Sequence, residues 1–309
     1  MAKVMLGVIG GTGLGEALGG LGSGQVHDLD TPFGRPSSPV VTTEVAGVKV
    51  ALLSRHGEGH LLNPSQVPYR ANVFALKALG VTHILASGAV GSLREEIAPR
   101  HLVIPDQVID RTYRRRGTFF EELAVHVELA SPFCPALRNL LARSATGLHA
   151  RVHPAGTYVC MEGPQFSTRA ESELHRAWGG SLIGMTAMPE AKLAREAEIC
   201  YALVALPTDY DCWRPHPQSV DQVKLLEEII GNVKAATANA LDLVRRAIPG
   251  LPALADKPCA CGPRIALSAS PKSPVDTPCR YNAGISASTL GIRRMYAGRI
   301  RLVNASPCR

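Results

Sequence analysis

Four short apolar runs, each ended by glycine or polar residues, limit the fold of this chain more than any other feature. The runs cover residues 4–9, 48–53, 83–86 and 200–205. Apart from Lys49 and His83 these residues are apolar or aromatic, and runs this short are typical of strands buried on both faces. Segments with helical character separate them, at residues 66–79 (with Ser65 as the predicted N-cap), 167–178, 190–198 and 220–247. Strands that alternate with helices predict an α/β fold.

Charge and composition divide the chain in two. The 309 residues are 46% apolar and carry a formal net charge of +7. Residues 253–309 contain nine Lys/Arg and two Asp/Glu, so residues 1–252 are formally neutral and no nucleic-acid partner is predicted. We interpret residues 1–252 as the folded body and the Pro/Ser/Arg-rich residues 253–309 as a mostly disordered tail. Without a long apolar run or a leader pattern, a soluble cytoplasmic protein with no membrane partner is expected.

The eight cysteines show no familiar metal-binding spacing. Cys134, Cys160, Cys200 and Cys212 are scattered at wide spacings through the body, and Cys259, Cys261, Cys279 and Cys308 lie in the tail, where the pair at 259 and 261 is separated by one residue. The usual zinc knuckle has a different spacing, and no histidine lies near the tail pair. We therefore expect reduced, mostly structural thiols and no metal site.

Groups that can bind an oxyanion follow three of the apolar runs. Residues 10–13 (Gly-Gly-Thr-Gly) offer backbone amides and the Thr12 hydroxyl, Arg55 and His56 follow the second run, and residues 87–89 (Ser-Gly-Ala) follow the third. Each group taken alone is as typical of a turn or a surface ion pair. A dinucleotide loop does not fit, because position 16 is Glu, and no Gly-Lys-Ser/Thr sequence occurs. Together the three groups predict one free phosphate held from several sides.

Two carboxylates follow the fourth run, at Asp209 and Asp211. A buried ionised carboxylate needs a partner or a raised pKa, and ligand crevices open at the carboxyl ends of strands. An adenine ring suits such a pair, since a carboxylate accepts from the exocyclic amine and a carboxylic acid donates to a ring nitrogen. For either aspartate alone, a turn or a helix N-cap is the simpler interpretation.

Five motifs together resemble the trimeric purine nucleoside phosphorylases, and most closely the branch that acts on S-methyl-5′-thioadenosine. They lie at residues 10–13, 54–57 with His60, 162–167, 185–190 and 208–213, within a resemblance that runs from about residue 4 to residue 249. The resemblance implies a single α/β domain whose central mixed β-sheet is partly closed into a distorted barrel and flanked by helices. It also implies a homotrimer and phosphorolysis in methionine and purine salvage, with inorganic phosphate as co-substrate and no cofactor.

The resemblance assigns roles to individual residues. The phosphate site is then formed by Thr12, Arg55, His56, Ser87, Gly88, Ala89 and Thr186. The nucleoside site is formed by Met185, Asp209, Tyr210, Asp211 and, from a neighbouring subunit, His126. Asp209 is the expected proton donor to N7 of the base, with Asp211 as its catalytic partner. Ser167 is expected to select the base, and Val220 and Val223 to line a methylthio pocket. This chain departs from the family at Gly88, where relatives carry Thr or Asn.

Two other functions remain open from the sequence. A 6-oxopurine phosphorylase, acting on inosine, guanosine or methylthioinosine, usually carries Asn at the Asp209 position and Glu at the Ser167 position. The groups present here have the opposite donor and acceptor pattern, which favours adenine. A non-catalytic nucleoside-binding protein of the same fold, with the tail as its interaction arm, is the second alternative.

Overall fold

A computed structural model describes residues 4–11, 24–121, 125–214, 222–255, 259, 261 and 265–267. The strands are β1 (Met5–Gly10), β2 (Gln25–His27), β3 (Val40–Val45), β4 (Val48–Ser54), β5 (His83–Ser92), β6 (Leu102–Val103), β7 (Gln107–Asp110), β8 (Val125–Val127), β9 (Val152–His153), β10 (Thr157–Cys160), β11 (Leu182–Gly184), β12 (Cys200–Asp209) and β13 (Ile265–Leu267). The helices are α1 (Tyr69–Ala78), α2 (Pro135–Ser144), α3 (Arg169–Ala177), α4 (Ala187–Glu196) and α5 (Gln222–Ala247), with 3₁₀ turns at Glu58–His60 and Ile248–Leu254.

Eleven strands form one mixed sheet in the order β2-β3-β4-β1-β5-β11-β10-β7, with β12, β6 and β9 branching from β5. Strands β4, β1, β5 and β12 run parallel, so their carboxyl ends share one edge. The last two residues of β5 instead pair antiparallel with β11. Within the described residues the strands do not close into a hydrogen-bonded ring. The predicted α/β domain with a central mixed sheet and flanking helices is confirmed.

Alternating side chains of the central strands build a core on each face of the sheet. On β12, Tyr201 and Leu203 pack on one face, whereas Ala202 and Val204 pack on the other. Helices α1 and α4 contribute buried residues to the first core, and α2 and α5 contribute to the second. Because both faces are covered, the central strands read as the continuous apolar runs seen in the sequence.

Two helix starts differ from the sequence prediction. Helix α1 begins after Pro68 without a side-chain cap, because Ser65 instead donates to the Glu162 carboxylate at 2.5 Å. Helix α3 begins after Thr168, which forms a reciprocal capping box with Glu171. The local capping sequence identified the neighbourhood of each start, and long-range contacts determined the first residue.

The folded body extends past the boundary predicted at residue 252. That boundary falls inside the 3₁₀ turn Ile248–Leu254, whose Leu251 is fully buried. Cys261 is also buried in the second core, and β13 pairs antiparallel with β8. The prediction of a disordered tail is therefore wrong for these residues, since they pack against the body. Residues 268–309 lie outside the described residues, and their disorder stays a prediction.

None of the helices in the described part of the chain is long and apolar enough to cross a membrane.

Candidate active site

Gly11 follows the end of β1 and Arg55 follows the end of β4, and both contact Ser87, which lies in the middle of β5. The Gly11 amide donates to the Ser87 hydroxyl at 3.4 Å, and the Arg55 guanidinium donates to the Ser87 carbonyl at 2.7 Å. A Cβ on Gly11 would lie 2.5 Å from that carbonyl oxygen and 2.8 Å from Arg55 Nη1. Only glycine therefore permits this approach. The structure brings together residues of the three segments that the sequence predicted to share an anion, although β5 continues past the predicted end at residue 86 to Ser92. Thr12 lies outside the described residues.

Arg55 is fully buried and paired with Glu190 of helix α4. Its Nε and Nη2 donate to the two carboxylate oxygens at 2.8 and 2.9 Å, and both side chains are 0% exposed. The Tyr201 hydroxyl donates to the same carboxylate at 2.8 Å. Burial alone would lower the pKa of Arg55, but the Glu190 charge raises it above its ordinary value. Arg55 therefore remains a fixed cation that the protein orients before any ligand arrives.

His56 is held as a neutral hydrogen-bond acceptor. Its Nδ1 lies 2.8 Å from the Leu62 carbonyl oxygen and must carry the proton, because a carbonyl only accepts. Burial, followed by the Arg55 charge, lowers the pKa of His56 to about 4. Near neutral pH the remaining nitrogen, Nε2, then presents a lone pair. The sequence expectation of a second donor is corrected here, since neutral His56 offers an acceptor at Nε2.

Thr186 lies against the β5 backbone at the start of α4. A Cβ on Gly88 would come within 3.2 Å of the Thr186 hydroxyl oxygen, which is tighter than ordinary contact. Gly88 is buried, and the following Ala89 is partly buried. Because position 88 is glycine, the Thr186 hydroxyl lies next to the backbone of β5 with no side chain between them. The nearest side-chain hydroxyl in the sequence is that of Ser87.

Asp209 and Asp211 lie at the carboxyl end of β12, above Gly91 of β5. The Asp209 carboxylate accepts from the Thr208 hydroxyl at 2.7 Å and from the Asp211 amide at 2.8 Å. A Cβ on Gly91 would lie 3.1 Å from Asp209 Oδ1 and 2.9 Å from an Ile183 methyl group. The small residue therefore leaves room for the carboxylate pair that the sequence predicted at this edge.

Burial raises the pKa of Asp211, and the neighbouring Asp209 charge adds to the rise. Hydrogen bonds from Ser172, at 2.5 Å, and from Ser167 act in the opposite direction. The sequence hypothesis named Asp209, within this pair, as the proton donor. The raised pKa favours the protonated form of Asp211. Ser172, fully buried on α3, was missed by the sequence, whereas Ser167 lies beside the pair as predicted.

The other residues predicted to contact the nucleoside lie on different elements and differ in their exposure to solvent. Tyr210 directs its hydroxyl to the Glu95 carbonyl and its ring to Trp213, and Asp209 and Asp211 flank it in the chain. Met185 is partly buried at the end of β11, and His126 is exposed on β8. Val223 is 62% exposed on α5, and Val220 lies outside the described residues. The single chain therefore leaves His126 and Val223 open to a second surface.

Arg115 is buried and hydrogen-bonds to several parts of the site. It was not among the site residues predicted from the sequence. It donates to the Glu162 carboxylate at 3.1 Å and to the carbonyls of Met185 and Met188 at 2.5 and 2.6 Å. Burial alone would raise the pKa of Glu162, but hydrogen bonds, Ser65 first among them, hold it below its ordinary range. Because Arg115 belongs to a run of three arginines, the sequence pattern suggested solvent exposure. Its contacts instead fix the Met185 backbone relative to the 162–167 motif.

Four cysteines that are distant in sequence meet at the opposite end of β12. The Sγ atoms of Cys134, Cys200, Cys259 and Cys261 all lie within 4.8 Å of one another. All four are free thiols. The sequence predicted reduced, mostly structural thiols and no metal site. The fold brings four of these thiols together, although their spacing matches no familiar motif.

The fold is a mixed sheet whose carboxyl edge carries the buried Arg55–Glu190 ion pair and the hydrogen-bonded Asp209–Asp211 pair. The chain belongs to the Phosphorylase superfamily, whose profile matches residues 5–249.

Relatives and solved structures agree with this membership. The chain is 49% identical over 265 residues to S-methyl-5′-thioadenosine phosphorylase from Geobacter sulfurreducens, covering 85% of this chain and 91% of the relative. It is 51% identical over 250 residues to the protein of the same name from Chloroflexus aurantiacus, covering 80% and 85%. Methylthioadenosine phosphorylase from Schistosoma mansoni in complex with adenine matches with a TM-score of 0.76 at 36% identity, covering 81% and 93%. The methylthioadenosine phosphorylase from an antarctic soil metagenomic library also has a TM-score of 0.76, at 45% identity, covering 84% and 90%.

Proposed function

We propose that this protein cleaves S-methyl-5′-thioadenosine with inorganic phosphate, giving adenine and 5-methylthioribose 1-phosphate. The observation that carries the proposal is the Asp209–Asp211 pair beside Ser167, on the same sheet edge as the Gly11–Arg55–Ser87 group. Relatives at about half identity bear the name of this activity. The Asp and Ser at these positions favour a 6-aminopurine over a 6-oxopurine.

Phosphate is bound at the Gly11–Arg55–Ser87 group in this proposal, with Thr186 and Thr12 adding hydroxyl donors. Three of the N–H groups of Arg55 are engaged by Glu190 and the Ser87 carbonyl, so its remaining N–H groups face the ligand. Neutral His56 accepts the P–OH hydrogen of HPO₄²⁻. This arrangement positions the anion for attack on C1′ with little reorganisation of the protein.

The proposed reaction transfers one proton, overall, from the phosphate to the purine. The C1′–N9 bond breaks, a C1′–O bond to phosphate forms with inversion, and the purine leaves with a proton that replaces the sugar. Overall, the hydrogen of HPO₄²⁻ is lost from phosphate and adenine gains one. Positive charge on the sugar ring grows as the bond stretches, as in glycoside hydrolysis, and the phosphate oxygens stabilise it.

In this proposal the Asp209–Asp211 pair binds the purine and donates a proton to it. One carboxylate accepts from the exocyclic amine of adenine, and a protonated carboxyl group donates to N7 as negative charge develops on the ring. The raised pKa of Asp211 favours the protonated form of this group relative to an ordinary carboxyl group. Because the two groups interact, the titration belongs to the pair.

A second copy of the chain completes the sugar site in this proposal, which takes the protein to be a homotrimer in the cytoplasm. Its support is an apolar face on α5, where Val223, Leu226 and Ile230 are all exposed, together with the exposed His126. A face of this kind is characteristic of surfaces that become buried by association. His126 would reach the 5′ region of a neighbouring nucleoside, and Met185 would lie under the ribose.

The direct test is product analysis. S-methyl-5′-thioadenosine is incubated with the protein with and without phosphate, and adenine and the sugar phosphate are quantified. The proposal requires equal amounts of the two products and loss of adenine release when phosphate is omitted. Release of adenine with free methylthioribose in the absence of phosphate would instead identify a hydrolase.

A further inference from the structure

The four-cysteine cluster at the amino end of β12 has the composition and spacing of a metal site. Cys134 is the N-cap residue of α2, Cys200 is the first residue of β12, and Cys259 and Cys261 follow the 3₁₀ turn that ends at Leu254. All four Sγ atoms lie within 4.8 Å of one another, and those of Cys200 and Cys259 are 3.2 Å apart. In a tetrahedral zinc site with Zn–S bonds of about 2.3 Å, neighbouring sulfurs are about 3.8 Å apart. The Cys200–Cys259 separation is shorter than that distance, and the 4.8 Å limit that holds for the whole cluster is longer.

The residues around the four-cysteine cluster leave little of it exposed to solvent. Cys134 is 0% exposed and Cys261 is 2% exposed, and the cluster is packed against apolar side chains of α2 and of the 3₁₀ turn, including Leu137 and Leu251. The backbone is held as well, since the Cys134 amide donates to the Tyr201 carbonyl and the Cys200 amide donates to the Thr82 carbonyl. Four thiols within ligand distance leave no position for water or substrate, which is the arrangement of a structural site.

We propose that Cys134, Cys200, Cys259 and Cys261 bind one Zn²⁺ ion as a tetrahedral thiolate site. Binding converts four thiols and Zn²⁺ into a tetrathiolate complex of net charge −2 and releases four protons to solvent. No oxidant or reductant is needed. Four sulfur ligands in tetrahedral arrangement select zinc or iron among the common metals, and zinc suits a site without redox chemistry.

The zinc site has a structural consequence that is separate from nucleoside cleavage. Cys200 and Asp209 are the two ends of β12, so the cluster is about 30 Å from the carboxylate pair at roughly 3.3 Å per residue. The metal joins the chain beyond residue 254 to the body. It thereby anchors the segment from which β13 pairs with β8, the strand that carries His126.

Metal analysis of the full-length protein tests the proposal. The protein is purified under reducing conditions, transferred to metal-free buffer and analysed by mass spectrometry for metals, with one equivalent of zinc per chain expected. Titration with a mercurial reagent should release that zinc after reaction of four thiols. Cobalt substituted for zinc should show the intense visible absorption and the sulfur-to-metal charge transfer of a tetrahedral thiolate site.

Cysteine-to-serine variants test which residues bind the zinc ion. Cys259→Ser changes the most accessible ligand and should lose most of the zinc, whereas Cys212→Ser, outside the cluster, should retain one equivalent. If Cys259→Ser does not fold, the thiol titration and cobalt spectrum of the unaltered chain still decide the question. Removal of zinc should also speed amide hydrogen exchange at residues 125–127. A metal-free protein with four reactive thiols, disulfides among these cysteines, or iron in place of zinc would each overturn the proposal.

Discussion

The two halves of the candidate active site are built differently, although both lie at the same edge of the sheet. On the phosphate side, Arg55 and Glu190 are fully buried and each is fixed by several hydrogen bonds. On the base side, Asp209 and Asp211 are only partly buried and are held by hydroxyls and one backbone amide. The proposed phosphate side is therefore built on a fully buried ion pair, and the proposed base side on partly exposed carboxylates.

The difference has an energetic meaning. A buried charge pair costs much to assemble and more to break, so its disruption affects the whole fold. A partly exposed carboxylate contributes less to stability, and its disruption affects the reaction. We therefore expect substitutions on the base side to alter catalysis with little loss of stability, and substitutions on the phosphate side to alter both.

The largest effect is expected on the base side, from Asp209→Asn. Loss of the carboxylate removes acid–base chemistry worth about 10²–10⁴-fold, so kcat/KM for S-methyl-5′-thioadenosine should fall by that order. Phosphate affinity and melting temperature should change little. The measurement is steady-state kinetics with each substrate varied, and an unchanged kcat/KM would remove Asp209 from the mechanism. Asp211→Asn is the companion variant, because the larger loss identifies the carboxyl group that transfers the proton.

The next effect concerns stability on the phosphate side. Glu190→Gln keeps the volume of the side chain but leaves the buried Arg55 charge without its counter-charge. Breaking such a pair costs about 3–5 kcal/mol, and we expect a melting temperature lower by roughly 6–15 °C. Asp242→Asn is the matched control, because it breaks an exposed ion pair with Arg246 whose side chains are 46% and 39% exposed. Equal, small shifts for the two variants would show that the Arg55–Glu190 pair is not a structural determinant.

A smaller effect is expected on the pH dependence of stability, through His56. The pKa of His56 is about 4 in the folded protein, below the ordinary value of about 6.5, so the unfolded chain binds the extra proton between these limits. Stability from neutral His56 is therefore present above pH 6.5 and is lost as pH falls toward 4. In His56→Asn, the decline in melting temperature between pH 7 and 5 should be shallower than in the unaltered protein. An identical slope in both proteins would contradict a neutral, buried His56.

The smallest effect concerns the 5′ substituent. Burial of a methylthio group is worth about 1–2 kcal/mol at roughly 25 cal/mol per Å², which predicts about a ten-fold preference for methylthioadenosine over adenosine. Val223→Asp should narrow this ratio of kcat/KM values, as Val220→Asp should, whereas the control Glu228→Gln should leave it unchanged. Since Val223 is exposed in the single chain, an effect confined to the oligomer would show that a second copy completes the pocket. Equal use of both nucleosides by the unaltered protein would contradict the assignment.

The sequence predicted the parts of the site that depend on strand order, and it missed the parts that depend on distant contacts. Arg55, Ser87 and Asp209 were identified because the carboxyl ends of parallel strands share one edge. Glu190 is 135 residues from Arg55, so no local pattern could indicate their pairing. Arg115 was hidden in a basic run that usually faces solvent.

The cysteines show the same limit. Their spacing argued against a metal site, and only the packing of residues 259 and 261 against α2 and β12 reveals the cluster. The same limit applies to the segment after residue 252. Its composition predicted a mostly disordered tail, but Cys261 is buried in the second core and β13 pairs with β8.

Cleavage of four nucleosides, each with and without phosphate, tests the proposed activity and base preference of this protein. Methylthioadenosine, adenosine, methylthioinosine and inosine vary the 6-substituent and the 5′-substituent independently. The structure predicts strictly phosphate-dependent cleavage of the two 6-aminopurines, with methylthioadenosine preferred, and kcat/KM values lower by about 10⁴-fold or more for the 6-oxopurines, whose hydrogen-bonding edge mismatches Asp209, Asp211 and Ser167. Comparable cleavage of inosine and adenosine, or cleavage without phosphate, would contradict it.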